Sequence, residues 1–436
     1  MKTKPPQSLY NNFARRNLHF TQGKGVWLIS DKGESYLDFT SGIAVNVLGH
    51  THPKLVDAIK IQAEKLWHVS NLFESPEQES LAARLCANSF ADKVFFCNSG
   101  AEALECAFKT ARRYHYTSGQ PTRFEIITFE GAFHGRTLAT IAASGKKKYL
   151  EGFGPKVCGF IQVPFDDEKA LRNAINKNTA AILIEPIQGE GGLRTVSYET
   201  LKMLRKLCDE NQLLLILDEV QTGIGRTGKL FAYEWHDITP DILTLAKGLG
   251  GGFPLGACLA TEKAAKSMTP GTHGTTFGGN LLGITVSNNV LDILLEPGFL
   301  DHVQHMGSKL KEGLLNIFNT YPDIICAIQG IGLMMGMQCV IPQNEVITAL
   351  DNERILSVGA RHNIVRLLPP LIITEEEIYE GLHRIEKAIA HLSQTNKKDK
   401  YNIYDKCPSP LHRHIYFDST KSTRSYRLRK NSQNRF

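Results

Sequence analysis

The sequence predicts an α/β protein, with a mostly parallel central sheet in a large domain and a smaller α+β domain after it. Three observations predict it. Between about residues 54 and 295, short β-branched apolar runs alternate with helical stretches. Runs without polar interruption are what a sheet buried on both faces requires. At Glu296-Pro297-Gly298 the pattern changes to helix, strands and a closing helix. With 436 residues, 42% of them hydrophobic, the chain has material for two unequal lobes around a sizeable core.

Taken in order, residues 1–53 form an entry segment expected to join the small domain. It carries a hairpin, VWLIS-DKGE-SYLDF, whose turn places Asp, Lys and Gly between apolar runs. The large domain, 54–295, offers the strands KVFFC (93–97), FEIITF (124–129), AAILIEP (180–186), LLLILDEV (213–220), DILTLA (241–246) and GACLAT (256–261). The small domain, 296–394, offers a helix around 300–320, the strands GLMMGMQCV and NIVRLLPPLII, and a helix from Glu375 to about Leu392. From 395 to 436 the chain is rich in Lys, Arg, Asn, Ser and Tyr without periodicity, and reads as a disordered appendix.

Composition excludes several classes. No run of about 18 uncharged apolar residues occurs, and the opening lacks the apolar core of a secretory signal, so a cytosolic protein is expected. The nine cysteines are scattered and never spaced C-x-x-C, which suggests neither a disulfide framework nor a zinc site. The formal charge of +6 does not mark a nucleic-acid binder, because residues 395–436 hold 11 Lys and Arg against 3 Asp. The first 394 residues are nearly neutral, with 39 basic and 41 acidic side chains.

Three segments carry chemistry. In KVFFCNSGAEALECAFKTARRY a strand turns through Asn98, Ser99, Gly100 and Ala101 into a helix buried along Leu104, Ala107, Phe108 and Ala111. Free amides at such a helix start suit a phosphate, although the segment alone reads equally as a tight strand-to-helix connection. In LLLILDEVQTGIGRTG an apolar strand ends on Asp218 and Glu219, where open α/β sheets bind ligands. Asp218 there suits a protonated ring nitrogen and Gln221 a phenolic oxygen, while an Asp at a strand end also serves simple turns. In PDILTLAKGLGGGFPLGA, Lys247 ends another strand before a glycine loop, and desolvation there would make it a nucleophile toward a carbonyl. The loop lacks the third glycine of a dinucleotide fingerprint, which argues against an NAD-dependent oxidoreductase. His134, like His50 and His52, reads as structural rather than as a metal ligand.

With these pieces in this order, and with FHGRT (133–137), IEPIQGEGG (184–192), HGTTFGGN (273–280) and IVRLLPP (364–370), the chain resembles the class III (subgroup II) aminotransferases. Within them it is most similar to the members acting on acetylornithine. The strings DEVQTGIGRTG (218–228) and AKGLGGGFPLGA (246–257) are the most specific.

The resemblance, which runs from about residue 8 to 392, implies the fold-type I architecture of pyridoxal 5′-phosphate (PLP) enzymes and a homodimer with shared active sites. It implies that Lys247 carries PLP as a Schiff base, that Asp218 pairs with the ring nitrogen, and that Gln221 touches the ring hydroxyl. Glu219 and Val220 also belong to the cofactor-binding residues it implies, Gly100 and Ala101 hold the phosphate, and Phe133 stacks on the ring. Thr276 reaches the phosphate in the partner subunit. Arg136, with Thr275, takes a substrate carboxylate, and Glu190 masks Arg366 until 2-oxoglutarate or glutamate arrives.

The implied reaction moves the terminal amine of N2-acetyl-L-ornithine to 2-oxoglutarate. Ornithine, succinylornithine, diaminopimelate and 4-aminobutyrate present the same kind of amine and are its rivals. Lys247, Asp218 and Arg136 together speak against a catalytically silent scaffold. Ala101 stands where many relatives carry Thr, so a hydroxyl contact is missing there while the backbone contact remains.

Overall fold

Short apolar runs separated by turn residues make the N-terminal stretch a meander of β1 (Phe20–Lys24), β2 (Trp27–Ser30) and β3 (Ser35–Asp38). β2 and β3 pair antiparallel with Trp27 opposite Leu37, and Gly33, at φ +78°, makes the turn between them. The computed structural model describes residues 8–396, which form one compact unit. Most of the expected tail, residues 397–436, lies outside the described residues, whereas Thr395 and Asn396 close the last helix.

The central sheet is built from β4 (Lys93–Cys97), β5 (Glu125–Phe129), β6 (Phe160–Val163) and β7 (Thr179–Ile184). A small hairpin follows, β8 (Ile187–Gln188) with β9 (Arg194–Thr195). The sheet is then completed by β10 (Leu214–Asp218), β11 (Ile242–Leu245) and β12 (Gly256–Ala260). The spatial order is β4-β12-β11-β10-β7-β5-β6, with β12 antiparallel to both neighbours and the remaining pairs parallel. The sheet is therefore mixed but mostly parallel.

β7, β10, β11 and β12 are buried at every position because helices cover both faces. On one face the helix Gly100–Thr117 packs Leu104, Ala107, Phe108 and Ala111 against the sheet. Strand β6 was not among the sequence candidates. It is a four-residue edge strand interrupted by Gln162, whose amide bonds Thr128 and the Ala142 carbonyl, so apolarity alone does not mark it.

The C-terminal part places β13 (Ile325–Ile331), β14 (Met334–Cys339), β15 (Ile355–Leu356), β16 (Val358–Ala360) and β17 (Ile364–Leu367) between the helices Phe299–Thr320, Gln343–Asn352 and Glu375–Asn396. β15 pairs parallel with β3, which ties the N-terminal meander to this region. Arg226, fully buried after β10, donates through Nη1 to the carbonyls of Leu333 (3.0 Å) and Pro369 (2.5 Å). It thereby fixes the segment after β17 against the sheet's C-terminal edge.

Candidate active site

In parallel strands the C-terminal ends open on one edge, and side chains there converge. Leu217 of β10 lies opposite Ile184 of β7, so the next residues, Asp218 and Glu185, emerge side by side. Asp218 also lies opposite Thr244 of β11, three residues before Lys247. The edge encloses a cavity of about 340 Å³ whose walls include Lys247, Asp218, Glu185, Phe133, Gly100 and Ala101.

Gly100 and Ala101 start the helix after β4, where Ser99 caps the Glu102 amide at 3.2 Å and the Glu102 carboxylate receives the Asn98 amide. The first helical amides have no intrahelical acceptor and are free to receive an anion. A Cβ on Gly100 would lie 2.8 Å from the Val220 side chain, so this mouth accepts only glycine.

Lys247 leaves β11 with φ +45°, a left-handed conformation that aims its side chain back into the cavity. Burial, and the Arg366 guanidinium beside it, bring its pKa down to about 8. Asp218 is held on both oxygens: His134 Nδ1 lies 2.8 Å from Oδ2, and the Val220 amide donates to Oδ1 at 3.0 Å. The carboxylate is thus oriented before any ligand arrives.

Burial pushes the neighbouring Glu185 carboxyl up to about 7, with Asp218's charge acting in the same direction, and Glu185 accepts the Phe133 amide at 2.9 Å. Sequence reasoning gave neither Glu185 nor His134 a role here. The position of Glu185 just past the end of β7, next to Asp218's strand, is the signal that finds it.

Glu219 corrects an expectation. Successive residues at a strand end point to opposite faces, so Glu219 turns away from Asp218's side. Its carboxylate accepts the amides of Ala232 (2.6 Å) and Tyr233 (2.9 Å) and the Thr222 hydroxyl (3.1 Å), and burial raises its pKa to about 7. It is not among the cavity walls, whereas Val220 and Gln221 are.

Arg366 on β17 is wholly buried behind the cavity. It donates to Gln221 Oε1 at 3.0 Å, Glu190 Oε1 at 2.5 Å and the Gly359 carbonyl at 3.2 Å, while its Nε has no partner among the described residues. Glu190 is presented by the tight β8–β9 turn and itself lines the cavity.

Arg136 is stacked 3.7 Å from the Tyr149 ring centroid and 5.9 Å from that of Phe133. Thr275 and Thr276 do not line this cavity; with Glu102 and His273 they line a second hollow nearby. Thr275 accepts the Gly278 amide there at 3.1 Å.

A buried lysine, a fixed aspartate and a helix mouth around one cavity fit a phosphate-bearing aromatic aldehyde. Residues 10–389 match the family described as Aminotransferase class-III. The chain belongs to the class-III aminotransferases.

Among the relatives of this class-III chain, an acetylornithine aminotransferase of Brucella melitensis biotype 1 is 62% identical over 392 residues, which are 90% of this chain and 97% of that one. The ornithine aminotransferase of Toxoplasma gondii ME49 superposes with a TM-score of 0.86 at 32% identity, covering 89% and 94% of the two chains. The N-acetylornithine aminotransferase of Stenotrophomonas maltophilia superposes with a TM-score of 0.77 at 37% identity, covering 88% and 98%.

Proposed function

We propose that this aminotransferase uses PLP to move the terminal amino group of N2-acetyl-L-ornithine to 2-oxoglutarate, giving N-acetylglutamate 5-semialdehyde and L-glutamate. The observation that carries the reading is the meeting of Lys247, Asp218 and the Gly100 helix mouth in one cavity, backed by the Glu190–Arg366 pair. Relatives that share about three residues in five with this chain and bear the acetylornithine name supply the donor.

The residues divide the work. The amides of Gly100 and Ala101 would hold the phosphate, Phe133 would cover the ring, and Gln221 would meet the ring hydroxyl. Bound there, PLP supplies the electron sink for the carbon that bears the amine. Asp218, oriented by His134, stabilises a protonated ring nitrogen. Lys247, with its pKa near 8, is the group that takes a proton from that carbon and returns it as general base and acid. Arg136 takes the donor's carboxylate, and Arg366 takes that of the acceptor.

A steady-state panel against 2-oxoglutarate tests the reading. N-acetylornithine should give the highest kcat/KM, above ornithine, succinylornithine, diaminopimelate and 4-aminobutyrate. Ornithine as the best donor would overturn the assignment while leaving the class intact.

We further place the enzyme in the cytoplasm, in arginine biosynthesis, as a homodimer. Among the described residues no helix is long and apolar enough to cross a membrane. Trp67, Leu72, Phe73 and Phe277 are exposed large apolar side chains, with Leu72 88% accessible. They share one face, because Asn71 bonds the carbonyls of Thr275 and Gly278 and His68 packs on Phe277 at 5.2 Å. A patch of this kind marks an interface, and Thr276 at its edge would complete the partner's phosphate site. Phe277→Asp should give a monomer by light scattering that releases PLP on gel filtration. A wild-type monomer with full activity would contradict the dimer.

A further inference from the structure

Lys146 follows the helix Leu138–Ser144 and heads a run of three lysines, of which Lys147 and Lys148 are exposed. Lys146 itself is only 8% exposed. Among the described residues no carboxylate lies within 4 Å of its ammonium and no hydrogen bond satisfies it. Its Nζ instead lies 5.6 Å from the centroid of Phe133 and 5.2 Å from that of Tyr149. Arg136 shares the same two rings and likewise has no ion-pair partner among the described residues.

Burying an ammonium is unfavourable unless an anion compensates it, and aromatic faces compensate it only in part. Phe133 is also a wall of the catalytic cavity. The arrangement is a pair of cations, Lys146 buried and Arg136 exposed, on the aromatic faces of Tyr149 and of the cavity-wall residue Phe133. Desolvation and the nearby charges of Arg361 and Arg136 depress the Lys146 pKa to about 8, while Glu185 and Glu190 act in the opposite direction, so it remains mostly protonated at pH 7.

We infer that Lys146, acting with Arg136, sets the donor's charge specificity: it attracts a substrate end that carries a net negative charge and disfavours one that carries a free α-ammonium. The inference rests on the donor reading proposed above and deepens it. In N-acetylornithine the α-nitrogen is a neutral amide, so the end remote from the reacting amine is a plain carboxylate. In 2-oxoglutarate the remote end is again a carboxylate. In ornithine the same end is a zwitterion, whose ammonium would sit among two or three cations. One site then serves both substrates and excludes the unacylated diamine by repulsion rather than by size. Lys146 is a specificity residue, not a catalytic one, since the reacting amine lies at the opposite end of the donor.

The test compares Lys146→Met, Lys146→Glu and Lys146→Arg in the PLP-loaded enzyme, each with N-acetylornithine and with ornithine. Lys146→Met should lower the ratio of the two kcat/KM values by about tenfold, the size of one lost charge-assisted contact. The change should come through KM for N-acetylornithine, with kcat moving far less. Lys146→Glu should lower the ratio further by attracting the ornithine ammonium, and Lys146→Arg should restore it.

Calorimetric binding of N-acetyl-L-norvaline, which lacks the reacting amine, should weaken in the Met and Glu variants and recover in the Arg variant. An unchanged ratio in both Met and Glu variants, or an equal fall in kcat for both donors, overturns the inference. The wild-type panel judges the donor assignment separately, because the Lys146 claim concerns only how the ratio moves between variants. Should the Met variant fail to fold, the Glu and Arg variants still decide it.

Discussion

Lys247→Ala should keep the fold and lose transamination by roughly 10⁴-fold or more, the upper end of what a positioned acid–base group contributes, with the covalent hold on the cofactor lost as well. The residue combines two properties that no neighbour duplicates. Its left-handed backbone points the side chain into the cavity, and burial beside Arg366 lowers its pKa to about 8. Glu185 and Asp218 flank it, but both are acids held by other bonds. Borohydride treatment of the PLP-loaded wild type should fix the cofactor's mass to the peptide containing Lys247, and the variant should show no such adduct.

The pH dependence of loading follows from the same shift. Only the neutral amine attacks a carbonyl, and with a pKa near 8 about one molecule in ten is neutral at pH 7, against roughly one in 3,000 for an unshifted lysine. The rate at which apoenzyme captures PLP should therefore rise with pH up to about 8 and flatten above it. A rate still climbing steeply at pH 10 would mean that the cavity does not tune Lys247.

The strand-end chemistry was legible because its carriers sit on strands buried on both faces. Uninterrupted runs such as LLLILD and DILTLA announce their own ends, and Asp218 and Lys247 stand there. Face alternation at the same ends separates the two acids: Asp218 faces the cavity, whereas Glu219 turns away and is bonded to the amides of Ala232 and Tyr233. Strand β13 left little trace in the sequence because it is an edge strand in which only Ile325 is fully buried, and the ten-residue helix Gln343–Asn352 buries only Val346, Ile347, Ala349 and Leu350. Lys146, Lys147 and Lys148 are indistinguishable as letters. Only the placement of the chain after Gly145, at φ +65°, buries the first and leaves the other two in solvent.

Arg366→Ala should damage the 2-oxoglutarate half of the reaction far more than the donor half, and Glu190→Ala should shift the enzyme toward α-amines. The argument starts from a conflict: N-acetylornithine reacts at its terminal amine, whereas glutamate reacts at its α-amine and must bring its α-carboxylate close to Lys247. We propose Arg366 as the cation for that carboxylate, since Lys247 feels its charge and Gln221 joins it to the cavity wall. Left bare, it would draw in any α-carboxylate and steer a donor's α-amine to the reacting position. Glu190 lies 2.5 Å away and is still partly open to solvent, and on this proposal it neutralises Arg366 during the donor half. Glu190 stands on the loop between β8 and β9 and is the more exposed of the two, so on this proposal it is the member that moves aside for a competing carboxylate. Losing the charge-assisted contacts of Arg366 should cost about 1.5–3 kcal/mol, or roughly 10- to 100-fold in the KM for 2-oxoglutarate. In Glu190→Ala the ratio of kcat/KM for glutamate over N-acetylornithine should rise. Single-turnover absorbance, followed separately with each substrate, reads both changes. Equal slowing of the two halves in both variants would reduce the pair to a structural ion pair and remove the gate.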